Sequence, residues 1–131
     1  MIDLKDLFQS ADWKTEKHVP VIEVSDLIKK GEPVKVVLTV GKEIPHPNTA
    51  EHHIKSIELY FLAQGEKFPY QIARFEFNTH GESVQGANSS TIYSEPGVAA
   101  SFKSDKPGTI FAVSYCNIHG VWKNSKEIKV E

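Results

Sequence analysis

Roughly seven or eight short runs of β-branched and aromatic residues, each closed by a turn signal, set the fold of this chain. Residues 34–40 read Val-Lys-Val-Val-Leu-Thr-Val, and residues 53–62 run from His53 to Leu62 with Ile54, Ile57, Leu59 and Phe61 as apolar positions. Residues 70–77, 90–93, 97–102, 109–115 and 126–130 continue the series, and residues 19–24 begin it, interrupted by Pro20. Lys30-Gly31-Glu32-Pro33, Gln64-Gly65-Glu66 and Lys106-Pro107-Gly108 supply turns between them. Parallel neighbours require long crossovers, usually helical, and no connection here has a helical pattern. The expected fold is therefore all-β, an antiparallel β-sandwich, in one domain spanning residues 1–131. The one helix candidate is the opening: Asp3 can cap it, Leu4, Leu7 and Phe8 share a face, and it ends near Asp12.

The bulk chemistry narrows the function. The formal net charge is −2, so nothing global favours nucleic acid or an anionic membrane, and attraction of an anion must come from a local patch. Cys116 is the only cysteine, so no internal disulfide forms, and a lone thiol fits a reducing, cytoplasmic compartment. The start, Met1-Ile2-Asp3-Leu4-Lys5-Asp6, lacks the basic and apolar pattern of a signal peptide. No apolar run approaches the roughly 18–20 residues of a membrane span.

Five of the six histidines and the single cysteine fall into three clusters at strand ends or in loops: His18, then His46 with His52 and His53, then Cys116 with His119. Sandwich loops gather at the ends of the sheets, which allows these clusters to meet. Cys116-Asn117-Ile118-His119 is a C-x-x-H arrangement whose two side chains can turn toward one ion, although a buried thiol beside a surface histidine has the same spacing. His46 lies between Pro45 and Pro47 in the stiff polar loop 41–51. His52 and His53 are adjacent, so in extended chain they point to opposite sides and only one serves a given site; alternation does not say which. Glu16 and Lys17 put opposite charges beside His18. His80 stands apart and reads as structural or surface.

Cysteine with four histidines exceeds the four ligands of a structural zinc site. A soft thiolate among imidazoles suits a redox-active transition metal, iron or copper above zinc. An electron-transfer module, a zinc hydrolase, and a thiol enzyme with Cys116 activated by His119 remain as other uses of the same residues.

Glu16-Lys17-His18-Val19-Pro20, the loop from Gly41 through Pro45-His46-Pro47 to His52-His53-Ile54, and Ser114-Tyr115-Cys116-Asn117-Ile118-His119-Gly120-Val121-Trp122 resemble the superoxide reductases, the family of the neelaredoxins and the catalytic domain of desulfoferrodoxin. The resemblance covers essentially the whole chain. It implies an immunoglobulin-like sandwich holding one iron ion, Fe2+ or Fe3+, with His18, His46, His52 and His119 in a plane and Cys116 axial. It thereby selects His52 over His53. It implies that Glu16 closes the sixth position of the oxidised iron and that Lys17 stands beside the open position of the reduced iron. The implied reaction is one-electron reduction of superoxide to hydrogen peroxide. With one cysteine the chain cannot carry the four-cysteine second centre of desulfoferrodoxins, so it looks like the one-iron, neelaredoxin type. An external donor is then required; the resemblance implies a rubredoxin-like protein, and also a homotetramer.

Overall fold

Eight strands form in chain order: β1 Val21–Glu23, β2 Leu27–Ile28, β3 Val34–Thr39, β4 Ile54–Ala63, β5 Tyr70–Glu76, β6 Gly97–Phe102, β7 Gly108–Cys116 and β8 Gly120–Val130. The computed structural model describes residues 1–131 throughout. One sheet has the order β1-β3-β6 and the other β2-β8-β7-β4-β5. All pairings but one are antiparallel, as the strand punctuation requires. The exception is a two-residue parallel contact, Leu27 with Lys129 and Ile28 with Val130, which the absence of helical crossovers did not foresee. The chain between β2 and β8 is the sandwich itself, and it is long enough to bring the two together without a helix.

Alternation builds the core. In β3, Val34, Val36 and Leu38 point inward and are fully buried, while Lys35 and Val37 face out. Across from them, β4 contributes Ile57, Leu59, Phe61 and Ala63, and β7 contributes Ile110, Ala112, Ser114 and Cys116. The apolar members of these strands join Ile22, Ile28, Val40, Ile54, Phe77 and Ile128 in one cluster. Each fully buried Leu, Ile or Val stabilises the fold by roughly 1.5–3 kcal/mol relative to exposure. Cys116 is thus the last inward-facing position of β7, carried by strict alternation to the end of the sandwich. A register shift between Ile54 and Ser56 in β4 resets that strand's phase beside it.

Three expectations change. The opening is a single 3-10 turn, Leu4–Asp6, rather than a helix reaching Asp12. Asp3 does cap it, accepting from the Lys5 amide at 3.1 Å. Leu4 and Leu7 remain more than half exposed, so the apolar face has nothing to pack against and a helix this short cannot persist alone. The chain instead lies against β8, where the Gln9 amide donates to Val121 and the Lys123 amide donates to Gln9. Residues 90–93 form no strand; Tyr93 makes one isolated bridge to His80. Finally, β8 starts at Gly120 rather than near residue 126. Its polar stretch Lys123-Asn124-Ser125-Lys126 is held by continuous pairing with β7 rather than by burial.

Candidate metal centre

His18, His46, His52 and His119 stand at the corners of a square at one end of the sandwich. Neighbouring ring centroids are 4.8 Å apart for His18–His46, 4.8 Å for His46–His52, 5.0 Å for His52–His119 and 4.8 Å for His18–His119. The His18–His52 diagonal is 6.5 Å, close to the ratio a square demands. His119 Nδ1 lies 3.2 Å from both His18 Nε2 and His52 Nε2. Cys116 Sγ is 3.5 Å from His46 Nε2 and 3.9 Å from His119 Nδ1. One donor atom each from His18, His52, Cys116 and His119 falls within 4.8 Å of the others. Imidazole–metal bonds of about 2.0–2.1 Å would set adjacent donors of a square plane about 3 Å apart. The observed spacings fit a metal-binding cluster of His18, His52, His119 and Cys116, with His46 Nε2 against the cysteine sulfur.

Each ligand is placed by a different local device. Cys116 and His119 flank the β7–β8 hairpin turn, whose exit, Gly120, has φ +80°. The His119 amide donates to Cys116 Sγ at 3.4 Å, turning the thiol and the imidazole of C-x-x-H to the same side. His18 precedes β1. Its carbonyl accepts from the fully buried Ser114 hydroxyl at 2.8 Å, and its ring stacks on Trp122 at 4.9 Å and 16°. Trp122 also donates from its indole to the His119 carbonyl. His46 depends on Gly41, which has φ +84°; a Cβ there would meet the His46 amide nitrogen at 2.7 Å. His52 closes a turn in which its amide donates to Thr49 Oγ1 and its carbonyl accepts from the Thr49 amide.

Outer contacts set which nitrogen faces inward. The Glu16 carboxylate lies 2.7 Å from His18 Nδ1 and leaves Nε2 for the centre. His46 Nδ1 lies 2.6 Å from the Pro47 carbonyl, which leaves Nε2 free in the same way. Burial pushes the His46 imidazole down from 6.5 to about 4, helped by the neighbouring charges of His18, His52 and Lys17 and opposed by the Pro47 carbonyl. His52 is lowered as well, by burial first and then by His119, His18 and Lys17. Both rings are therefore neutral near pH 7, with lone pairs available to a cation.

The structure brings donor atoms of His18, His52, Cys116 and His119 into one group, with His46 outside that group but beside it through its contact with Cys116 Sγ. Glu16 is not among the donors; its carboxylate grips the His18 amide and ring instead. Lys17 lies near enough for its charge to depress both His46 and His52. His53 turns away from the centre. It is buried, donates from Nδ1 to the Thr49 carbonyl at 2.8 Å, and stacks face to face on His80 at 3.4 Å and 5°. His80 is likewise buried, so its role is structural and not at the surface. Sequence reasoning passed over Ser114, Trp122 and Asn117, whose contacts brace the ligands. Their spacing beside Cys116 and His119 was the available signal.

A β-sandwich that gathers a cysteine and several histidines at one end defines a protein with a His/Cys metal-binding cluster. The desulfoferrodoxin family model matches residues 10–125, and the chain belongs to that family. It is 57% identical to the superoxide reductase of Pyrococcus furiosus over 92% of this chain and 95% of the relative. It is 47% identical to neelaredoxin of Megalodesulfovibrio gigas over 96% of this chain and 97% of that one. The reduced-form structure of the Archaeoglobus fulgidus superoxide reductase (neelaredoxin) superposes with a TM-score of 0.88 at 54% identity, covering 94% of this chain and 98% of the other. No helix is long and apolar enough to cross a membrane.

Proposed function

We infer that this chain is a superoxide reductase of the one-iron type. The observation that carries the reading is the square of four imidazoles with Cys116 packed beneath them. Cys116 is 1% exposed whereas His119 is exposed, so the thiolate lies on the protein side and the opposite face meets solvent. The reading assigns His18, His46, His52, His119 and Cys116 as ligands of one iron ion per chain. Bound iron supplies reversible one-electron chemistry between Fe2+ and Fe3+, and superoxide takes up that electron and two protons to give hydrogen peroxide.

The chain's own residues then have distinct tasks. The four histidines would hold the iron through imidazole nitrogens, and Cys116 would add electron-rich sulfur that favours giving up an electron. Lys17 provides the local positive charge that a protein of net charge −2 otherwise lacks, drawing an anion toward the open face. Glu16 orients His18 in the present arrangement. For the Glu16 carboxylate to serve the iron instead, it would first have to release the His18 amide and Nδ1. A rubredoxin-like donor would restore the electron, and homotetramer assembly and a cytoplasmic location complete the reading by family likeness and the free thiol.

Metal analysis with pulse-generated superoxide tests this. The reduced protein should hold about one iron per chain, oxidise on the pulse, and yield peroxide without evolving oxygen. Stoichiometric zinc without iron would favour a hydrolase, and a metal-free protein alkylated rapidly at Cys116 would favour a thiol enzyme. Oxygen evolution would make it a dismutase.

A further inference from the structure

The outer nitrogens of His18 and His46 are held by Glu16 and Pro47, but no side chain or backbone group of the protein holds His52 Nδ1 or His119 Nε2. The direction of the His52 ring must come from its backbone, which Thr49 holds locally and which is also gripped from across the sandwich end. Asn117, in the hairpin turn between Cys116 and His119, donates from Nδ2 to the Glu51 carbonyl at 2.9 Å. Its Oδ1 accepts from the His53 amide at 2.9 Å. Its own amide donates to the His53 carbonyl at 3.2 Å. The Glu51 carbonyl belongs to the peptide unit before the His52 Cα, and the His53 amide to the unit after it. One side-chain amide therefore holds the two planes that define φ and ψ of His52, and with them the direction of its Cβ.

We propose that Asn117 is a positioning residue for His52, tying that ligand rigidly to the turn that carries Cys116 and His119. The inference rests on the metal-centre assignment above but not on superoxide as substrate. Within it, His52 Nε2 and His119 Nδ1, 3.2 Å apart, move as one unit because a single residue joins their backbones. Asn suits the position: it offers a donor and an acceptor on one planar group. Asp keeps the acceptor for the His53 amide but loses the donor to the Glu51 carbonyl. Ala loses both.

The test measures Fe2+ affinity of the full chain by anaerobic competition with a chelator, for wild type, Asn117→Ala, Asn117→Asp, His52→Ala and the double variant Asn117→Ala/His52→Ala. Loss of an outer partner of a ligand typically weakens metal binding by roughly 10–100-fold. That loss is expected for Asn117→Ala, a smaller one for Asn117→Asp, and a shifted sulfur-to-iron charge-transfer band in both oxidised variants. In the His52→Ala background the Asn117 substitution should change affinity by less than about twofold, because the ligand it positions is gone. An equal loss in both backgrounds would show a general role in the turn and overturn the proposal, as would unchanged affinity in Asn117→Ala. Should Asn117→Ala fail to fold, the Asn117→Asp cycle with His52→Ala separates the same two outcomes. Failure of the wild type itself to bind iron would overturn the metal-centre assignment as well, and so is distinct from failure of the positioning role alone.

Discussion

Acid should unfold the metal-free protein partly through His46, by an amount the structure sets. In the unfolded chain this imidazole titrates near 6.5; in the fold, burial and the charges around it bring that to about 4. Between these values the unfolded state binds the proton more readily. The stability linked to His46 is therefore complete above about pH 6.5 and is lost as pH falls toward 4. The full difference corresponds to ~3 kcal/mol at ~1.4 kcal/mol per pH unit. The ring is only half-buried, so water screens part of this, and about half of it is the expected size. Urea unfolding of metal-free wild type and His46→Gln, from about pH 7.5 down to about pH 4, isolates the contribution. Burial also lowers His52 and His80, so both proteins weaken in acid, but wild type should lose ~1.5 kcal/mol more. At slopes of about 1–3 kcal/mol per molar urea, the midpoint gap changes by roughly 0.5–1.5 M. Parallel pH curves for the two proteins would mean that His46 contributes nothing to the acid sensitivity.

Three further outcomes follow from the same geometry. Gly41→Ala should cut iron retention by pushing on the His46 amide, whereas Gly65→Ala, at a similar φ in open space, should leave iron content intact; equal iron in both purified variants would dismiss the Gly41 role. Leu59→Ala, at a fully buried β4 position, should cost about 3 kcal/mol in chemical denaturation; a loss below about 1 kcal/mol would mean the two sheets pack less closely there than the burial indicates. Lys17→Ala should keep its iron yet react more slowly with superoxide at low ionic strength, the gap closing as salt is added; identical rates in dilute buffer would remove the steering role.

Much of this was legible in the sequence, for reasons that differ by residue. The inward series Ile110, Ala112, Ser114, Cys116 is plain alternation, and it delivers the thiol to the sandwich end. β3 reads as a strand because its burial keeps period two, and β4 does so from Ile57 onward. β8 was half hidden, since its polar positions are fixed by ladder bonds to β7, and hydrogen bonding leaves no hydropathy trace. The 3-10 turn failed to become a helix for want of a surface to bury Leu4 and Leu7, which local pattern cannot reveal. At the site, residue type and clustering pointed to the ligands. Alternation left His52 and His53 open and the family resemblance selected His52; the physical reason is the local turn built by Thr49 and the stack of His53 on His80, the second a product of tertiary contact. The spacing of Asn117 beside Cys116 and His119 was a signal of its place but not of its role, because its partners lie 64 and 66 residues away.

The ligand order along the chain carries a mechanical consequence. Only Cys116 and His119 are close neighbours; His18 Nε2 meets His119 Nδ1 across 101 positions. An ion bound to both is a removable cross-link, closing a loop of a length for which a disulfide would be worth roughly 4–5 kcal/mol by chain entropy alone. Iron would then clasp the N-terminal approach to the β7–β8 hairpin as firmly as it serves the electron. Stripping it with a chelator should lower the melting temperature along with the activity, and unchanged melting would show that the sandwich closes without the clasp.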